Sequence, residues 1–349
     1  MKILIVRTDR IGEVLLSTPI ITALKEKWPR AEITVMIRPE VKELIEDNPC
    51  VSEIIEYKND IRENKGREGE IRVNRGKEGV IRAAFRLRKI FKEREFDIAI
   101  VVNPKKEFHL AAFLAGIPVR VGFNRKWAFF LTHKVKDLKF LAQKHEVEYN
   151  LDLVRTLGIE PKDKRPVLVV KDNLRDCFAP AVLLRKTKQQ GLAMTSGDQP
   201  RPLIAIHPCT SNPKKQWPKT YFAKLGDLLM ADGYNVVLVS GAKEARFAEE
   251  VIALMKNKPI DLTGKLNLRE LAALFEQCKF LISGDSGPVH IAAAVGAKVI
   301  ALFGAADPGS RPKRWGPYGE GHIVIAKERI EDILPSEVLA EIHRGDSSQ

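Results

Sequence analysis

Several features that mark particular protein classes are scarce or absent in this chain of 349 residues. Its four cysteines stand far apart and form no Cys-x-x-Cys pair, which argues against a zinc site or a disulfide framework and is typical of a reduced cytoplasmic protein. No apolar run approaches the roughly 18 residues that cross a bilayer, and the short apolar strand after Met1 resembles neither a signal nor a transit peptide. No Gly-x-Gly-x-x-Gly follows the first strand, which disfavours a nicotinamide-dependent dehydrogenase. Asp-x-Asp motifs and His/Cys clusters suited to a metal are also missing, so we expect no metal site.

The composition suits a globular protein with substantial cores, since 44% of the residues are hydrophobic and 30% are charged. The length predicts about two domains. A formal net charge of +13 fits nucleic acid, an anionic membrane face or a phosphorylated substrate as partner. A solvated Lys/Glu-rich surface explains the same charge, so the charge alone does not separate these alternatives.

Short apolar strands alternate with helical patterns along most of the chain, which predicts an α/β protein with two doubly wound domains. The first domain is predicted over residues 1–170 and the second over residues 203–327. Residues 171–202 are rich in Gly, Ser, Pro and Gln and indicate a linker. Residues 328–349 are predicted to end the chain in a helix.

The opening of the first domain is predicted in detail. Lys2–Val6 is a strand buried on both faces, Arg7–Glu13 is a polar turn, and a helix follows over Val14–Trp28. Arg165–Val170 is predicted as a last strand.

A tandem ten-residue repeat at Ile61–Val80 interrupts this pattern. It is rich in Lys, Arg, Glu and Gly and nearly lacks large apolar residues, which predicts an exposed insertion. A basic docking arm for an anionic partner and a neutral duplication in a surface loop both explain it, and we favour the duplication.

The stretch Phe280–Gly304 is a strand, a tight turn, a helix and a second strand, and is the most informative part of the sequence. The turn Gly284–Gly287 allows close approach of a ligand to the backbone, and the unpaired amides that open the next helix favour phosphate. Asp285 is expected to bind a hydroxyl or to cap the helix, and His290 could donate to an anion. An ordinary strand-to-helix turn explains the same residues.

Other candidate ligand groups also follow predicted parallel strands, whose carboxyl ends meet at one edge of a sheet. In the second domain, Thr210 and Ser211 offer hydroxyls, and Lys214 or Lys215 offers a positive charge for phosphate oxygens. Glu244 could accept ribose hydroxyls. The predicted site is a nucleotide diphosphate site in a cleft between the domains. The candidate segments are Thr8–Glu13, Asn103–Lys106, Cys209–Lys215, Gly241–Glu244 and Gly284–His290.

Motifs distributed over nearly the whole chain resemble those of the bacterial lipopolysaccharide heptosyltransferases, glycosyltransferase family 9. They are Ile3–Glu13, Val119–Gly122, His207–Pro218, Asp261–Arg269, Asp285–His290 and Ala301–Gly304. The resemblance implies a GT-B fold, with two Rossmann-like domains facing across a cleft and the last helix crossing back onto the first domain. It also implies an ADP-heptose donor in the second domain, an anionic lipid A–core acceptor in the first, and an inverting transfer that needs neither metal nor cofactor.

The expected site residues are of three kinds, namely donor-binding, acceptor-binding and catalytic. The expected donor-binding residues are Thr210, Ser211, Lys215, Glu244, Asp285, Ser286, Gly287 and His290. The expected acceptor-binding residues are Arg7, Lys105 and Lys106. Lys215 is also expected to assist catalysis by stabilising the leaving ADP.

The general base is where this chain departs from the family pattern, which has Gly-Asp where this chain has Gly12–Glu13. A general base must lie within hydrogen-bond distance of the proton that it removes. Glutamate places its carboxylate about one methylene further from the backbone than aspartate does, but it keeps the chemical group. Glu13 is therefore the expected base, with Asp9 as the alternative.

The sequence hypothesis is thus heptosyl transfer by a cytoplasmic enzyme in peripheral contact with the inner membrane. Another GT-B nucleotide-sugar enzyme, such as a different hexosyltransferase or an epimerase, is the alternative. A nucleic-acid-binding protein is disfavoured, because the basic residues do not alternate with aromatic ones and no nucleic-acid motif is present.

Overall fold

A computed structural model describes residues 1–58, 79–178, 201–304 and 311–347. The repeat insertion predicted at Ile61–Val80, except for its last two residues, and residues 179–200 of the predicted linker lie outside this description. The chain divides into two compact units. Unit 1 comprises Met1–Leu138 and Glu148–Lys164, and unit 2 comprises Lys139–Val147 and Arg165–Gln349.

Unit 1 contains a six-stranded parallel sheet with the strand order β3-β2-β1-β4-β5-β6. The strands are β1 (Lys2–Val6), β2 (Glu32–Ile37), β3 (Glu53–Glu56), β4 (Ile98–Val101), β5 (Val119–Phe123) and β6 (His133–Val135). The central strand β1 is confirmed at its predicted bounds, and its apolar run is buried because helices cover both faces of such a sheet.

Helices precede or follow these strands in the order expected for a doubly wound unit. They are α1 (Ile11–Leu15), α2 (Thr18–Lys27), α3 (Val80–Arg94), α4 (Lys106–Leu114) and α5 (Glu146–Arg155). Short 3₁₀ turns occur at Pro39–Leu44 and Ala128–Phe130, and another, Lys139–Leu141, lies in the segment Lys139–Val147 of unit 2, in which α5 also begins. Helices α3 and α4 pack on each other and share one core with the sheet.

The predicted turn Arg7–Glu13 and helix Val14–Trp28 are wrong in their boundaries. Helix α1 begins at Ile11 and ends at Leu15, and α2 starts three residues later. The hydroxyls of Ser17 and Thr18 donate to the carbonyls of Val14 and Leu15, each at 2.7 Å, and these bonds compete with a continuous helix. Glu13 therefore lies in the first turn of a short helix and not in a loop.

The strand predicted at Arg165–Val170 is also absent, although the residues alternate between buried and more exposed as a strand would. Leu168 and Val170 are buried, but the segment pairs with neither sheet. Pro166 removes one backbone donor from it. The segment belongs to unit 2, as do Lys139–Val147, so that unit 1 extends less far than the predicted residues 1–170.

Unit 2 contains a second six-stranded parallel sheet with the strand order β12-β11-β10-β7-β8-β9. The strands are β7 (Leu203–His207), β8 (Asn235–Ser240), β9 (Ile260–Thr263), β10 (Phe280–Gly284), β11 (Lys298–Gly304) and β12 (Ile323–Lys327). The helices are α6 (Asp172–Cys177), α7 (Lys219–Ala231), α8 (Ala245–Leu254), α9 (Leu268–Glu276), α10 (Gly287–Ala294), α11 (Pro312–Trp315) and α12 (Pro335–Ser347).

The last helix, α12, contributes to the core of unit 2. Val338 and Ile342 are buried with Trp217, whose indole nitrogen donates to the Ile333 carbonyl at 2.9 Å. Its predicted crossing onto the first domain stays a prediction. Among the described residues, no helix combines the length and the hydropathy that a membrane span requires.

Candidate functional site

The neighbouring strands β7 and β10 bring two predicted ligand segments together in unit 2. Ser283 pairs with His207 in the parallel register, so the turns that follow both strands lie side by side. Lys215 Nζ lies 2.5 Å from Asp285 Oδ2, with only 24% and 12% of the two side chains exposed. Lys214, the alternative cation, is exposed and has no ionic partner in the described parts of the chain. Lys215, and not Lys214, is therefore the lysine that pairs with Asp285, and its role in donor binding stays a prediction.

Gly284 permits the close approach of these two turns. A Cβ atom at this position would lie 3.3 Å from the carbonyl oxygen of Lys215, which is tighter than most side chains tolerate. Any larger residue would push the Lys215 turn away from the strand end. The glycine thus holds the cation next to Asp285.

A buried polar network lies beneath the turn that opens α10. The Ser286 hydroxyl is 2.9 Å from that of Ser283, which is 3.1 Å from His207 Nδ1. Ser286 is the N-cap residue of α10 but does not cap it through its side chain. The backbone amides of the first turn of α10 therefore receive no capping bond from the Ser286 side chain. Burial lowers the pKa of His207 to about 4, so this imidazole is neutral at pH 7.

His290, one turn into α10, is buried, which lowers its pKa to about 3, with a smaller lowering effect from His145. It is therefore neutral near pH 7, and it would interact with an anion by N–H donation and not by charge. Its Nδ1 atom has no hydrogen-bond partner within the described parts of the chain. Its contribution to donor binding stays a prediction.

A buried carboxylate that the sequence did not single out lies in unit 2. Glu146 is 2% exposed and accepts from Lys139 Nζ at 2.5 Å and from Arg314 Nε at 3.0 Å. Arg314 also donates to the Lys139 carbonyl at 3.0 Å. The residues come from segments about 170 positions apart, so no local pattern could reveal the cluster. It ties Lys139–Val147 to the segment that carries α11.

A cavity of about 340 Å³ lies next to the ends of β7 and β8 in unit 2. Two predicted donor-binding residues, Thr210 and Glu244, line it, whereas Ser211 is exposed and does not. Burial raises the pKa of the Cys209 thiol to about 12, so this thiol stays protonated. Cys209 and Lys243 also line the cavity and belong to the predicted segments Cys209–Lys215 and Gly241–Glu244, whereas the remaining lining residues were not predicted: Gln216, Lys219, Arg246, Phe247 and Glu250. Glu244 could be predicted because it follows a strand, whereas nothing in the sequence distinguishes the cavity residues that lie on the flanking helices.

The predicted acceptor residues of unit 1 follow β1 and β4. Arg7 is buried, and its Nε atom lies 3.2 Å from Asp9 Oδ2. Asn103 Nδ2 donates to Asp9 Oδ1 at 2.5 Å and lies 3.4 Å from the Thr8 hydroxyl. Asp9 is therefore held between an arginine and an amide. Burial lowers the pKa of Lys105, whose ammonium lies 5.3 Å from the ring centroids of Tyr57 and Phe108.

The two candidate general bases differ in their surroundings. Glu13 is partly exposed in the first turn of α1 and has no hydrogen bond or ion pair with other described residues. The oxygens of Asp9 are already engaged by Arg7 and Asn103. An unengaged carboxylate is better able to accept a substrate proton, so the geometry favours Glu13 over Asp9. Within the described residues, no three His, Cys, Asp or Glu side chains form a group that could hold a metal ion.

Known proteins resemble this chain over nearly its full length. The family model described as glycosyltransferase family 9 (heptosyltransferase) matches residues 84–333. Lipopolysaccharide heptosyltransferase 2 of Salmonella typhimurium is 25% identical over 370 residues, covering 98% of each chain. The structure of Escherichia coli ADP-heptose lipopolysaccharide heptosyltransferase II superimposes with a TM-score of 0.77 at 25% identity, covering 100% of this chain and 99% of that one. A glycosyl transferase family 9 structure from Veillonella parvula superimposes with a TM-score of 0.80 at 23% identity, covering 100% and 97%.

The two sheets and these neighbours confirm the predicted fold class. Each unit is a doubly wound parallel α/β sheet, and the solved neighbours share the GT-B architecture of two Rossmann-like domains. The match covers well over half of the chain and includes the turn at Asp285 and the Lys215 segment. The chain belongs to glycosyltransferase family 9, the heptosyltransferases, and is a glycosyltransferase.

Proposed function

We propose that the protein transfers heptose from ADP-heptose to an anionic, lipid-linked inner-core acceptor of lipopolysaccharide, with inversion and without a metal. The observation that carries this proposal is the Lys215–Asp285 pair at the carboxyl end of the unit 2 sheet, where the segments after β7 and β8 also contribute Thr210 and Glu244 to a cavity. The names of the relatives, which are lipopolysaccharide heptosyltransferases, support the choice of sugar and acceptor.

The donor would bind in unit 2 through its diphosphate and its ribose. Lys215 and the Gly287 amide at the start of α10 supply positive potential for the phosphate oxygens, as helix N-termini and lysines do in other phosphate sites. Glu244 lines the cavity, and its carboxylate can accept hydrogen bonds from the ribose hydroxyls. The Asp285 carboxylate would repel the diphosphate. We therefore expect it to accept hydrogen bonds from hydroxyl groups of the sugar.

The acceptor would bind in unit 1, where Lys105 and Lys106 offer charges complementary to its phosphates, whereas Arg7 is buried against Asp9 and would act by orienting that carboxylate. In the reaction, the Glu13 carboxylate takes the proton of the acceptor hydroxyl as its oxygen attacks the anomeric carbon of the heptose. The bond from that carbon to the ADP oxygen breaks, and ADP leaves with the bonding electrons. Lys215 and the α10 amides stabilise the charge that develops on the leaving diphosphate.

The proposal is tested by donor selectivity and by coupling of ADP release to the acceptor. Isothermal titration with ADP, UDP and GDP is expected to show preferential binding of ADP. ADP release from ADP-heptose is expected to require a heptose-deficient lipopolysaccharide extract. Preferential binding of UDP, or release of another nucleotide from its sugar under the same conditions, would redirect the proposal to another GT-B enzyme.

A further inference from the structure

Four aromatic side chains of unit 1 form a cluster at its surface, which we call the aromatic patch: Phe113 and Phe129, which are exposed, and Trp127 and Phe130, which are half-buried. The rings of Phe113 and Phe130 lie 4.8 Å apart and those of Phe129 and Phe130 lie 4.3 Å apart, measured between centroids. Phe129 is 68% exposed and Phe113 is 46% exposed. Contiguous exposed aromatic surface of this kind marks an interaction site more often than scattered apolar residues do.

The local fold holds the patch outward. Ala128 and Leu131 are buried, and Leu131 packs so closely on Gly122 that a Cβ atom there would lie 2.9 Å from the leucine methyl. Arg120 Nε donates to the Phe130 carbonyl at 2.6 Å. The inward residues and this bond determine the course of the 3₁₀ turn, so that Phe129 faces solvent.

Cations surround the aromatic patch. The Lys106 ammonium lies 5.3 Å from the Trp127 ring centroid, and the Arg120 guanidinium lies 5.5 Å from that of Phe113. Arg125 and Lys126 precede Trp127 directly and are exposed. The two basic residues Arg125 and Lys126 are thus close in sequence to three rings of the aromatic patch.

We propose that the aromatic patch docks unit 1 onto the surface of an anionic lipid bilayer. Aromatic rings that enter the headgroup region and basic residues that contact anionic headgroups are the two components of interfacial binding. A second copy of the chain would bring these cations opposite one another. Single-stranded nucleic acid requires flat faces for stacking, but the ring of Phe130 is inclined by 31° to Phe113, 46° to Phe129 and 70° to Trp127.

This docking deepens the proposed function, on which it rests for its biological purpose, because a lipid-linked acceptor resides in a membrane. The physical interaction needs neither donor nor acceptor. Vesicle binding can therefore be measured without the transferase reaction, and either proposal can fail while the other stands.

The test is co-sedimentation of the full chain with vesicles of phosphatidylcholine alone and of phosphatidylcholine with phosphatidylglycerol. We expect the wild type to bind the anionic vesicles and Phe129→Ser to bind them at least about tenfold more weakly, since it removes the most exposed ring of the aromatic patch. Lys126→Glu should weaken binding to anionic vesicles similarly and make it less sensitive to salt. The matched control is Phe140→Ser, because Phe140 is 71% exposed in unit 2 and lies outside the aromatic patch.

Several outcomes overturn the inference. They are absence of wild-type binding to anionic vesicles, equal loss in the Phe140→Ser control, and unchanged binding in Phe129→Ser with an unaltered circular dichroism spectrum. A dimer that Phe129→Ser dissociates, or binding of single-stranded DNA that the same change abolishes, would assign the patch to another partner if vesicle binding were unaffected.

Discussion

Replacement of Lys215 by alanine is expected to weaken ADP binding while leaving the fold intact. The ammonium of Lys215 lies 2.5 Å from Asp285 in a site where both side chains are mostly shielded from water. In the donor complex, it would contact the diphosphate and also neutralise Asp285. The substitution therefore removes a charged hydrogen bond to the ligand and exposes the ligand to an uncompensated carboxylate.

The magnitude follows from the geometry and from the charge of the groups. A charged hydrogen bond contributes about 1.5–3 kcal/mol, which corresponds to a rise in Kd of roughly ten- to 150-fold. The free protein already holds Lys215 against Asp285, so part of the ligand interaction replaces an existing one. We therefore expect a value in the lower half of this range.

Isothermal titration with ADP measures this effect, and Lys214→Ala is the matched control. Lys214 belongs to the same 3₁₀ turn at Pro213–Lys215 but is exposed and makes no ion pair among the described residues. Its removal should change Kd by less than about twofold, as for a solvated surface charge. An unchanged ADP affinity in Lys215→Ala, or an equal loss in Lys214→Ala, would refute the assignment of Lys215.

Three further predictions concern other residues. Glu13→Gln should lower turnover by about 10²–10⁴ with ADP affinity unchanged, because it removes the general base while keeping its shape, whereas Asp9→Asn should retain turnover. Glu146→Gln should lower the free energy of unfolding by about 3–5 kcal/mol in urea titrations, since it leaves two cations without their buried partner. Acid should destabilise the protein, because burial lowers the pKa of His207 to about 4 and that of His290 to about 3. As pH falls below about 6.5, these histidines take up protons in the unfolded chain but not in the folded one. The free energy of unfolding is therefore expected to be lower at pH 5 than at pH 7 by about 2 kcal/mol for each histidine.

Each of these predictions has a result that contradicts it. Normal turnover in Glu13→Gln together with inactive Asp9→Asn would exchange the roles of the two carboxylates. A Glu146→Gln variant as stable as the wild type would mean that the buried ion pair contributes no net stability. Equal unfolding free energies at pH 7 and pH 5 would show that the buried histidines do not resist protonation.

Much of the fold could be predicted because short apolar runs bounded by turn residues specify buried parallel strands. Lys2–Val6 is a strand at its predicted bounds, and Phe280–Gly304 contains the predicted succession of strand, turn, helix and second strand. The boundary at Ile11 was missed because Ser17 and Thr18 divide the helical pattern through side-chain bonds, which periodicity alone does not indicate.

The candidate site was predictable only where residues follow strands. The expectation that residues after parallel strands meet at one edge of the sheet put Asp285 and the Lys214–Lys215 segment in one site, and the pairing of β7 with β10 brings them together. The choice between the two lysines depends on side-chain direction in a 3₁₀ turn, and the contact of Glu146 with Arg314 joins residues that are distant in the chain. Such contacts depend on the tertiary structure and have no counterpart in local pattern.

The central claim is heptosyl transfer, and mass spectrometry of the acceptor tests it most directly. Heptose-deficient lipopolysaccharide is incubated with ADP-heptose and the protein, with Lys215→Ala in parallel. We expect the acceptor to gain the mass of one heptose residue, ADP to be released in equal amount, and the variant to react more slowly. An acceptor that keeps its mass, although a known heptosyltransferase modifies the same preparation, would contradict the account.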